Sequence, residues 1–320
     1  MTTQADRRRP FVNLSSGGRV FAFLDLDHPA VAWAMMRGML VSAQHAAAEA
    51  GFISFMQAGM ILAGNNPRIF NETVIELWRS NFHRDRTSRM RGIYFFKTRA
   101  DAEARIDDPN WPPYFSAENL IEFELLTNEP PTQVDANWIT FANLDGTGRI
   151  ELNDLNWVSK YWQGVPRGDQ PVWEIIANGV ALVLDEAKRR NSEAYLRQMF
   201  PRAYIPMLMA RIASEVGTRG GQVHPFLLRE DEETVCLVYL SSDAEFHDFE
   251  IIEAMKTHPD IGLLGRLMYE NETWNIPDLR PWGRTYKLGK RLVRELGDFE
   301  IPSVHDNHLR MKSVGRISGA

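Results

Sequence analysis

Short apolar runs, separated by segments of helical composition, limit the folds open to this chain more than any other feature of its sequence. Runs of about four to eight residues rich in Val, Ile, Leu and aromatic side chains favour buried strands. Segments dense in Ala, Met and Leu, which begin after capping residues and stop at Gly or Pro, favour helices. The pattern predicts a mixed α+β fold. Its predicted strands are residues 19–26, 92–97, 119–126, 179–184, 225–228 and 235–240, and its predicted helices include residues 30–50, residues 52–63 and a further helix capped by Asn71.

The composition narrows the class of protein. The chain has 320 residues, 44% of them hydrophobic, which is enough apolar material for a sizeable core. Its net charge of −6 argues against binding nucleic acid through overall charge, while a local basic face stays compatible with it. A single cysteine, Cys236, excludes an intrachain disulfide and a cysteine-based zinc site, so we expect a cytoplasmic protein. No apolar stretch reaches the roughly 18 residues of a membrane-spanning helix, and we expect no membrane partner.

Changes in composition along the chain predict how it divides into domains. Residues 1–16 are polar and lack periodicity, so we expect a mobile arm. Residues 17–190 contain most of the predicted strands and form the first predicted domain. After Asp185 the character turns helical, and a boundary near residue 190 would separate a mixed helical region at residues 191–320.

The most basic stretch of the chain is residues 79–91, which contain five arginines. One interpretation is a solvated loop whose arginines pair with the acidic excess elsewhere. The other is a phosphate-binding face, because the planar guanidinium group binds two phosphate oxygens at once. The five residues are Arg79, Arg84, Arg86, Arg89 and Arg91.

One predicted strand carries the sequence Gly92-Ile93-Tyr94-Phe95-Phe96, and a short alanine-containing helix follows it. This arrangement resembles the nicotinamide-binding strand of the ADP-ribosyltransferase superfamily, particularly the Gly-Ile-Tyr-Phe-Ala stretch of its poly-ADP-ribose polymerase branch. The resemblance implies that Tyr94 stacks on nicotinamide. An aromatic ring on a rigid strand can hold a flat heteroaromatic ring at small entropic cost. The alternative is that Tyr94 and its aromatic neighbours are core residues of a sheet.

A single carboxylate, Glu174, lies in the hydrophobic run at residues 171–176. Burying a carboxylate without a partner is costly, so this side chain is either paired or at the mouth of a cleft. In the superfamily, a glutamate on a late strand bonds the nicotinamide ribose and stabilises the cation that forms as nicotinamide leaves. The resemblance therefore implies that Glu174 is catalytic, and it follows Tyr94 in the expected order along the chain.

The superfamily also has a His or Arg on its first strand, which holds a ribose or a phosphate. Arg19 starts the first predicted strand and His28 follows it, so the resemblance points to either residue. Ser88 and Arg89 are the alternative, from the branch that uses an arginine and a serine-containing motif. With Gly92, these residues complete the NAD-binding set that the resemblance implies.

Residues 143–154 have oxygen-bearing side chains at the spacing of an EF-hand calcium loop, with Gly148 in the sixth position. Together with a predicted exit helix, the loop also resembles one half of a dockerin calcium module. The alternative is a hairpin turn in which the Asp-Gly and Thr-Gly pairs serve the backbone geometry. The candidate calcium ligands are Asn143, Asp145, Thr147 and Asp154.

The sequence thus predicts an NAD-dependent ADP-ribosyltransferase that releases nicotinamide and modifies a protein or nucleic-acid acceptor. The resemblance implies an ADP-ribosyltransferase-like mixed-sheet domain with helical insertions at residues 17–190, with the arginines of residues 79–91 meeting the pyrophosphate or a nucleic-acid acceptor. Two alternatives stay open: a calcium-dependent binding or scaffolding module built on residues 143–154, and a non-enzymatic structural or assembly protein of a phage or mobile element. The sequence lacks the motifs typical of kinases, serine hydrolases, zincins and Rossmann enzymes.

Overall fold

The structure is a computed structural model that describes residues 14–43, 51–242, 249–270, 273–290 and 293–294. In these residues the chain forms helices and three antiparallel sheets, which confirms the predicted α+β class. No helix within the described ranges is long and apolar enough to cross a membrane.

The first sheet has four antiparallel strands. In sheet order they are β1 (Ser15–Phe23), β4 (Leu120–Thr127), β7 (Val180–Val183) and β2 (Met39–Val41). β1 begins inside the predicted mobile arm, because Ser15 and Ser16 pair with Thr127 and Leu126 of β4. The predicted arm at residues 1–16 is therefore wrong at its C-terminal end, and residues 1–13 lie outside the described residues.

The second sheet carries the predicted tyrosine and glutamate, and we call it the site sheet. Its strands, in sheet order, are β3 (Ile93–Phe95), β6 (Trp173–Ala177) and β5 (Thr132–Asp135). Phe21 of β1 and Phe96, just after β3, exchange two backbone hydrogen bonds of 3.0 and 2.7 Å, which join this sheet to the first. Both strands on which the resemblance rests are thus confirmed.

The third sheet lies in the C-terminal part of the chain. Its strands are β8 (Gln222–Arg229), β9 (Thr234–Ser242) and β10 (Arg284–Lys287). β9 is the central strand and pairs antiparallel with both neighbours. The structure confirms the two strands predicted here, with longer bounds, and adds β10.

Local capping explains several helix starts. The His28 side chain accepts a hydrogen bond at the start of α1 (Pro29–Arg37), and Thr98 and Asp185 do the same at the starts of α3 (Arg99–Glu103) and α6 (Glu186–Met199). The helices are α1 (Pro29–Arg37), α2 (Phe55–Phe82), α3 (Arg99–Glu103), α4 (Asn137–Thr140), α5 (Asn156–Trp162), α6 (Glu186–Met199), α7 (Tyr204–Glu215), α8 (Phe249–Lys256) and α9 (Ile261–Glu270).

The predicted helix at residues 30–50 is wrong in its length. α1 ends at Arg37 because Gly38 adopts a left-handed conformation with φ of +86°, and β2 follows directly. Glycine reaches this conformation without the steric penalty of a Cβ atom, which is why it ends many helices. Residues 44–50 lie outside the described residues.

The helices predicted at residues 52–63 and after Asn71 are wrong as separate elements, because α2 is one continuous helix. It contains Pro67, although a proline in a helix interior costs about 3 kcal/mol. Asn71 does not cap a helix. Its side chain accepts a hydrogen bond from the Ile150 N–H at 2.8 Å and donates one to the Gly148 carbonyl at 3.0 Å. Tertiary contacts along α2 therefore override the local stop signals.

The core is continuous across the predicted domain boundary. One cluster of buried side chains contains Val20 and Phe123 from one side of residue 190, and Met207 and Tyr239 from the other. Residue 190 itself lies inside α6, which packs on α1. A cut at this point would divide a helix that covers the core.

Candidate active site

Tyr94 and Glu174 project from the same face of the site sheet. Tyr94 on β3 lies opposite Ile176 on β6, and Glu174 precedes Ile176 by two positions on the same strand. Side chains alternate between the two faces along a strand, so these three residues share one face. The order of the strands thus brings together the two residues on which the resemblance rests.

The two side chains line a common cavity of about 50 Å³. A second cavity, of about 200 Å³, has His28 in its wall. The two cavities adjoin, because they share lining residues, and we name the pair the aromatic cleft. Three predicted site residues, His28, Tyr94 and Glu174, therefore lie in one cleft. The shared lining residues are Phe23, Met56, Pro112 and Tyr114.

Glu174 places an acidic group in an apolar wall, where the residue is only 9% exposed. Burial raises the pKa of its carboxyl from 4.5 to about 7, against the attraction of the Arg89 and Arg68 guanidinium groups. Loss of water disfavours the charged form of an acid, and this effect dominates at the site. Near neutral pH the carboxyl therefore exists in both protonation states, as catalytic acids and bases often do.

Tyr94 is fixed in place by its neighbours. Its hydroxyl donates a hydrogen bond to the Arg89 carbonyl at 2.6 Å, and the side-chain oxygen of Gln57 lies 3.1 Å from the same hydroxyl. The Arg89 guanidinium lies over the ring, 5.0 Å from its centroid. Burial raises the pKa of Tyr94 well above its ordinary value, so the phenol stays neutral. These contacts hold the ring rigid in the cleft wall.

Arg89 belongs to the core rather than to a phosphate-binding face. The residue is 2% exposed, and its guanidinium contacts both carboxylate oxygens of Glu72 at 2.9 and 3.1 Å. It also donates to the Tyr161 hydroxyl at 2.5 Å. Burial raises the pKa of Glu72, but the Arg89 and Arg68 guanidiniums outweigh it and hold the pKa below its ordinary value. The buried ion pair thus stays charged behind Tyr94.

His28 presents a buried ring nitrogen with nothing bound to it in the described residues. Its Nδ1 accepts a hydrogen bond from the Ala30 N–H at 3.2 Å, so the proton of the neutral ring is on Nε2. Nε2 is buried and lacks a hydrogen-bond partner in the described part of the chain. Burial lowers the pKa of His28 to about 4, which keeps the ring neutral at pH 7.

The other predicted NAD-binding residues lie outside the aromatic cleft. Arg19 is exposed on β1 and pairs with Glu122 at 2.8 Å. Ser88 is buried, and its hydroxyl accepts a hydrogen bond from the Arg91 N–H at 3.3 Å. A Cβ atom at Gly92 would come within 2.6 Å of Ile176, so this glycine allows a close crossing of the chain over β6. Arg19 and Gly92 thus have structural contacts of their own.

The loop at residues 143–154 closes on itself. Leu144 and Ile150 form an isolated bridge. The carboxylate of Asp145 accepts hydrogen bonds from the Thr147 N–H at 2.7 Å and from its hydroxyl at 2.6 Å. The exit helix predicted after the loop is confirmed as α5. Across the described residues, no group of three or more His, Cys, Asp or Glu side chains could hold a metal ion.

Several residues of the aromatic cleft escape prediction from the sequence. Tyr114 lines both cavities, and burial raises its pKa well above the ordinary value. Asp25 lines the larger cavity, and burial raises the pKa of its carboxyl. Met56 comes from α2, which the sequence does not position against the site sheet. The cluster of aromatic residues in the proline-rich loop at residues 109–115 is the signal that could have indicated Tyr114.

Four of the five arginines in residues 79–91 line a separate cavity of about 570 Å³, which we name the arginine cavity. None of its described lining residues belongs to the aromatic cleft. The arginine-rich segment is thus neither wholly solvated nor part of the cleft. The four residues are Arg79, Arg84, Arg86 and Arg91.

Comparisons of the chain with protein-family models, with curated proteins and with solved structures found no match. The assignment of a function therefore depends on the geometry of the site.

Proposed function

We propose that the protein is an NAD-dependent ADP-ribosyltransferase, which releases nicotinamide and passes ADP-ribose to a macromolecular acceptor. The observation that carries the proposal is the aromatic cleft, because His28, Tyr94 and Glu174 all lie in its wall. These are the residue types, in the chain order, that the resemblance of the sequence to the superfamily implies.

Glu174 supplies the negative charge that the reaction needs. The bond between C1′ of the ribose and the nicotinamide nitrogen breaks, its electron pair leaves with nicotinamide, and positive charge develops on the sugar. A carboxylate in a wall with little water stabilises that charge more strongly than one in solvent. An acceptor nucleophile then bonds to C1′ and releases its proton. Because the pKa of Glu174 is about 7, its ionised fraction and the reaction rate rise between pH 6 and pH 8.

Tyr94 and His28 orient the substrate. The Tyr94 ring is already fixed by the contacts of its hydroxyl, so stacking nicotinamide on its cleft side loses little side-chain entropy. His28 lines the larger cavity, and its Nε2–H is buried without a partner in the described residues; a ribose hydroxyl is an acceptor that would satisfy it. Both residues therefore act by positioning NAD against Glu174.

The aromatic cleft can enclose only part of an NAD molecule. Its cavities, of about 200 and 50 Å³, are smaller than the roughly 300 Å³ at which pockets for drug-sized ligands begin. The pyrophosphate and the adenosine would therefore extend out of the cleft. The acceptor would then approach C1′ from outside the aromatic cleft.

The first experiment measures nicotinamide release. The purified protein is incubated with NAD, alone and with cell extract, while chromatography follows free nicotinamide and a label follows ADP-ribose. Glu174→Gln keeps the size of the side chain and removes its charge. We expect it to lower the rate at pH 8 by about 100-fold or more, the usual effect of losing one charge-stabilising group.

The control is Glu151→Gln, which removes an exposed carboxylate outside both parts of the cleft. It should release nicotinamide at the wild-type rate. Equal release by the wild type and Glu174→Gln contradicts the proposal, and so does the absence of any NAD binding to the wild type in calorimetry.

A further inference from the structure

The arginine cavity lies at the end of the site sheet opposite to Glu174. β3 and β5 both run antiparallel to β6, so they begin at the same end of the sheet. The cavity is lined by Ser88 and Arg91, just before β3, and by Glu129 and Pro130, just before β5. Glu174 is near the start of β6, at the other end. The cavity is thus placed to bind a ligand independently of the aromatic cleft.

Its arginines differ in what already binds them. Arg79 is committed to the fold, because its Nε and Nη2 contact one oxygen of Glu76 at 2.9 and 2.8 Å. Its Nη1 also donates to the Arg86 carbonyl at 2.9 Å. Arg84 bonds the described residues through Nε alone, which donates to the Ser80 carbonyl at 2.7 Å. The terminal nitrogens of Arg84 therefore face a ligand more readily than those of Arg79.

Among the described residues Arg86 forms one salt bridge, to Asp85, and its geometry is weak. The Arg86 Nε lies 3.5 Å from the carboxylate of Asp85, whose side chain is 76% exposed. Nε is buried and makes no hydrogen bond within the described ranges. An exposed ion pair of this kind contributes little to stability, so a better acceptor can replace the Asp85 carboxylate. The phosphate group is such an acceptor, because two of its oxygens match the two parallel N–H groups of a guanidinium.

Two further lining residues of the cavity offer different chemistry. Glu76 is buried there, and one of its carboxylate oxygens has no hydrogen-bond partner among the described residues. Phe52 adds an aromatic side chain to the lining of the cavity. A ligand that carries hydrogen-bond donors and a flat ring would satisfy both groups. The volume of about 570 Å³ lies in the range of about 300 to 1,000 Å³ typical of small-molecule sites.

We propose that the arginine cavity is a second ligand site, which binds a phosphate monoester. The phosphate group lies against Arg84 and Arg86, and the organic part of the ligand extends toward Phe52 and Glu76. Four arginines against the carboxyls of Glu76, Asp85 and Glu129 leave the wall with a net positive charge. The inference does not depend on the transferase activity, since the two sites share no described lining residue.

The test is calorimetric titration of the purified protein with AMP and, separately, with inorganic phosphate at low salt. We expect AMP to bind, and Arg86→Gln to weaken its binding by about 10-fold or more, since a charge-assisted hydrogen bond is lost. Asp85→Asn removes the competing carboxylate and should strengthen binding. Arg190→Gln, an exposed arginine on α6 outside the cavity, is the matched control and should leave binding unchanged.

The two probes and one further variant distinguish the possible results. Tighter binding of AMP than of inorganic phosphate supports contacts to the organic part, and equal binding supports recognition of the phosphate group. Glu174→Gln should keep the AMP affinity of the wild type, because Glu174 lies in the other cavity. The proposal is overturned if neither probe binds, if Arg86→Gln and Asp85→Asn both leave the affinity unchanged, or if Glu174→Gln abolishes AMP binding.

Discussion

At the scale of single residues, Glu174 couples the proposed reaction to the stability of the fold. Burial raises the pKa of its carboxyl from 4.5 to about 7, and one pKa unit corresponds to about 1.4 kcal/mol. Keeping this group ionised in the folded protein at pH 8 therefore costs about 3 kcal/mol. A group maintained at this cost is more easily explained by activity than by stability.

Replacing Glu174 with glutamine should stabilise the protein at high pH. Between pH 4.5 and pH 7 the folded state keeps the Glu174 proton while the unfolded state loses it, so wild-type stability falls as pH rises through this window. Glu174→Gln has no such proton to lose. We expect its free energy of unfolding to exceed that of the wild type by up to about 3 kcal/mol at pH 8, and by much less at pH 5.

Urea unfolding of both proteins at pH 5, 6, 7 and 8 measures this difference. Glu151→Gln should show no pH-dependent offset, because Glu151 is exposed. A difference between Glu174→Gln and the wild type that stays the same at all four pH values would show that the carboxyl is not desolvated in the folded state.

The sequence predicted the strand positions of Glu174 and Tyr94 but not the burial of Arg89, for physical reasons. An acid inside an apolar run and a tyrosine on an aromatic strand are local patterns, so their placement on strands could be inferred. Arg89 looks like its four arginine neighbours, and only the position of Glu72 on α2 decides that it is the buried one. Such a pairing depends on tertiary packing, which local pattern does not contain.

At the scale of elements, the link between β6 and β7 connects two sheets with only Asn178 and Gly179 between the strands. Its geometry requires glycine. Gly179 has φ of +155°, and a Cβ atom there would lie 2.2 Å from the Leu126 carbonyl oxygen. The backbone of Gly179 also bonds Ser42 in both directions, at 2.9 and 3.0 Å. This link fixes the position of β6, and therefore of Glu174, relative to the first sheet.

Gly179→Ala should destabilise the protein by at least about 2 kcal/mol, because the backbone strain and the clash with Leu126 add. Thermal or urea unfolding measures the loss. Gly146→Ala is the control, since a Cβ atom at Gly146 meets nothing within 4 Å. If both variants unfold at the same denaturant concentration, the link between β6 and β7 does not require glycine at position 179.

Element positions were predicted better than element ends and partners. The strands at β3, β6 and β7 follow from their apolar content, but nothing local assigns β6 and β7 to different sheets. The stop signals around Pro67 are strong in isolation. The helix α2 continues through them because contacts with other parts of the chain hold it, for example the hydrogen bonds of Asn71 with residues 148 and 150. Propensity yields to packing at such points.

At the scale of the whole molecule, the polar groups of α1 tie the two predicted domains together. The Trp33 indole N–H donates to the Gly221 carbonyl at 2.7 Å. Arg37 is 1% exposed, and its guanidinium donates to the carbonyls of Ala210 at 3.3 Å and Thr218 at 3.2 Å. All three acceptors lie beyond residue 190. The composition suggested a boundary there. A change in helical content, however, does not reveal which side chains share a core.

A fragment of residues 14–190 should therefore fail to fold on its own. It lacks the acceptors of Trp33 and Arg37, and a buried polar group left unpaired costs about 1 to 3 kcal/mol, and more when charged. It also ends inside α6 and exposes the side of the core that Met207 and Tyr239 cover. We expect the whole chain to keep its near-ultraviolet circular dichroism and to unfold cooperatively in urea, whereas the fragment does neither. A fragment with a cooperative transition close to that of the whole chain would instead establish residue 190 as a true domain boundary, and the continuity of the core would then contribute little to stability.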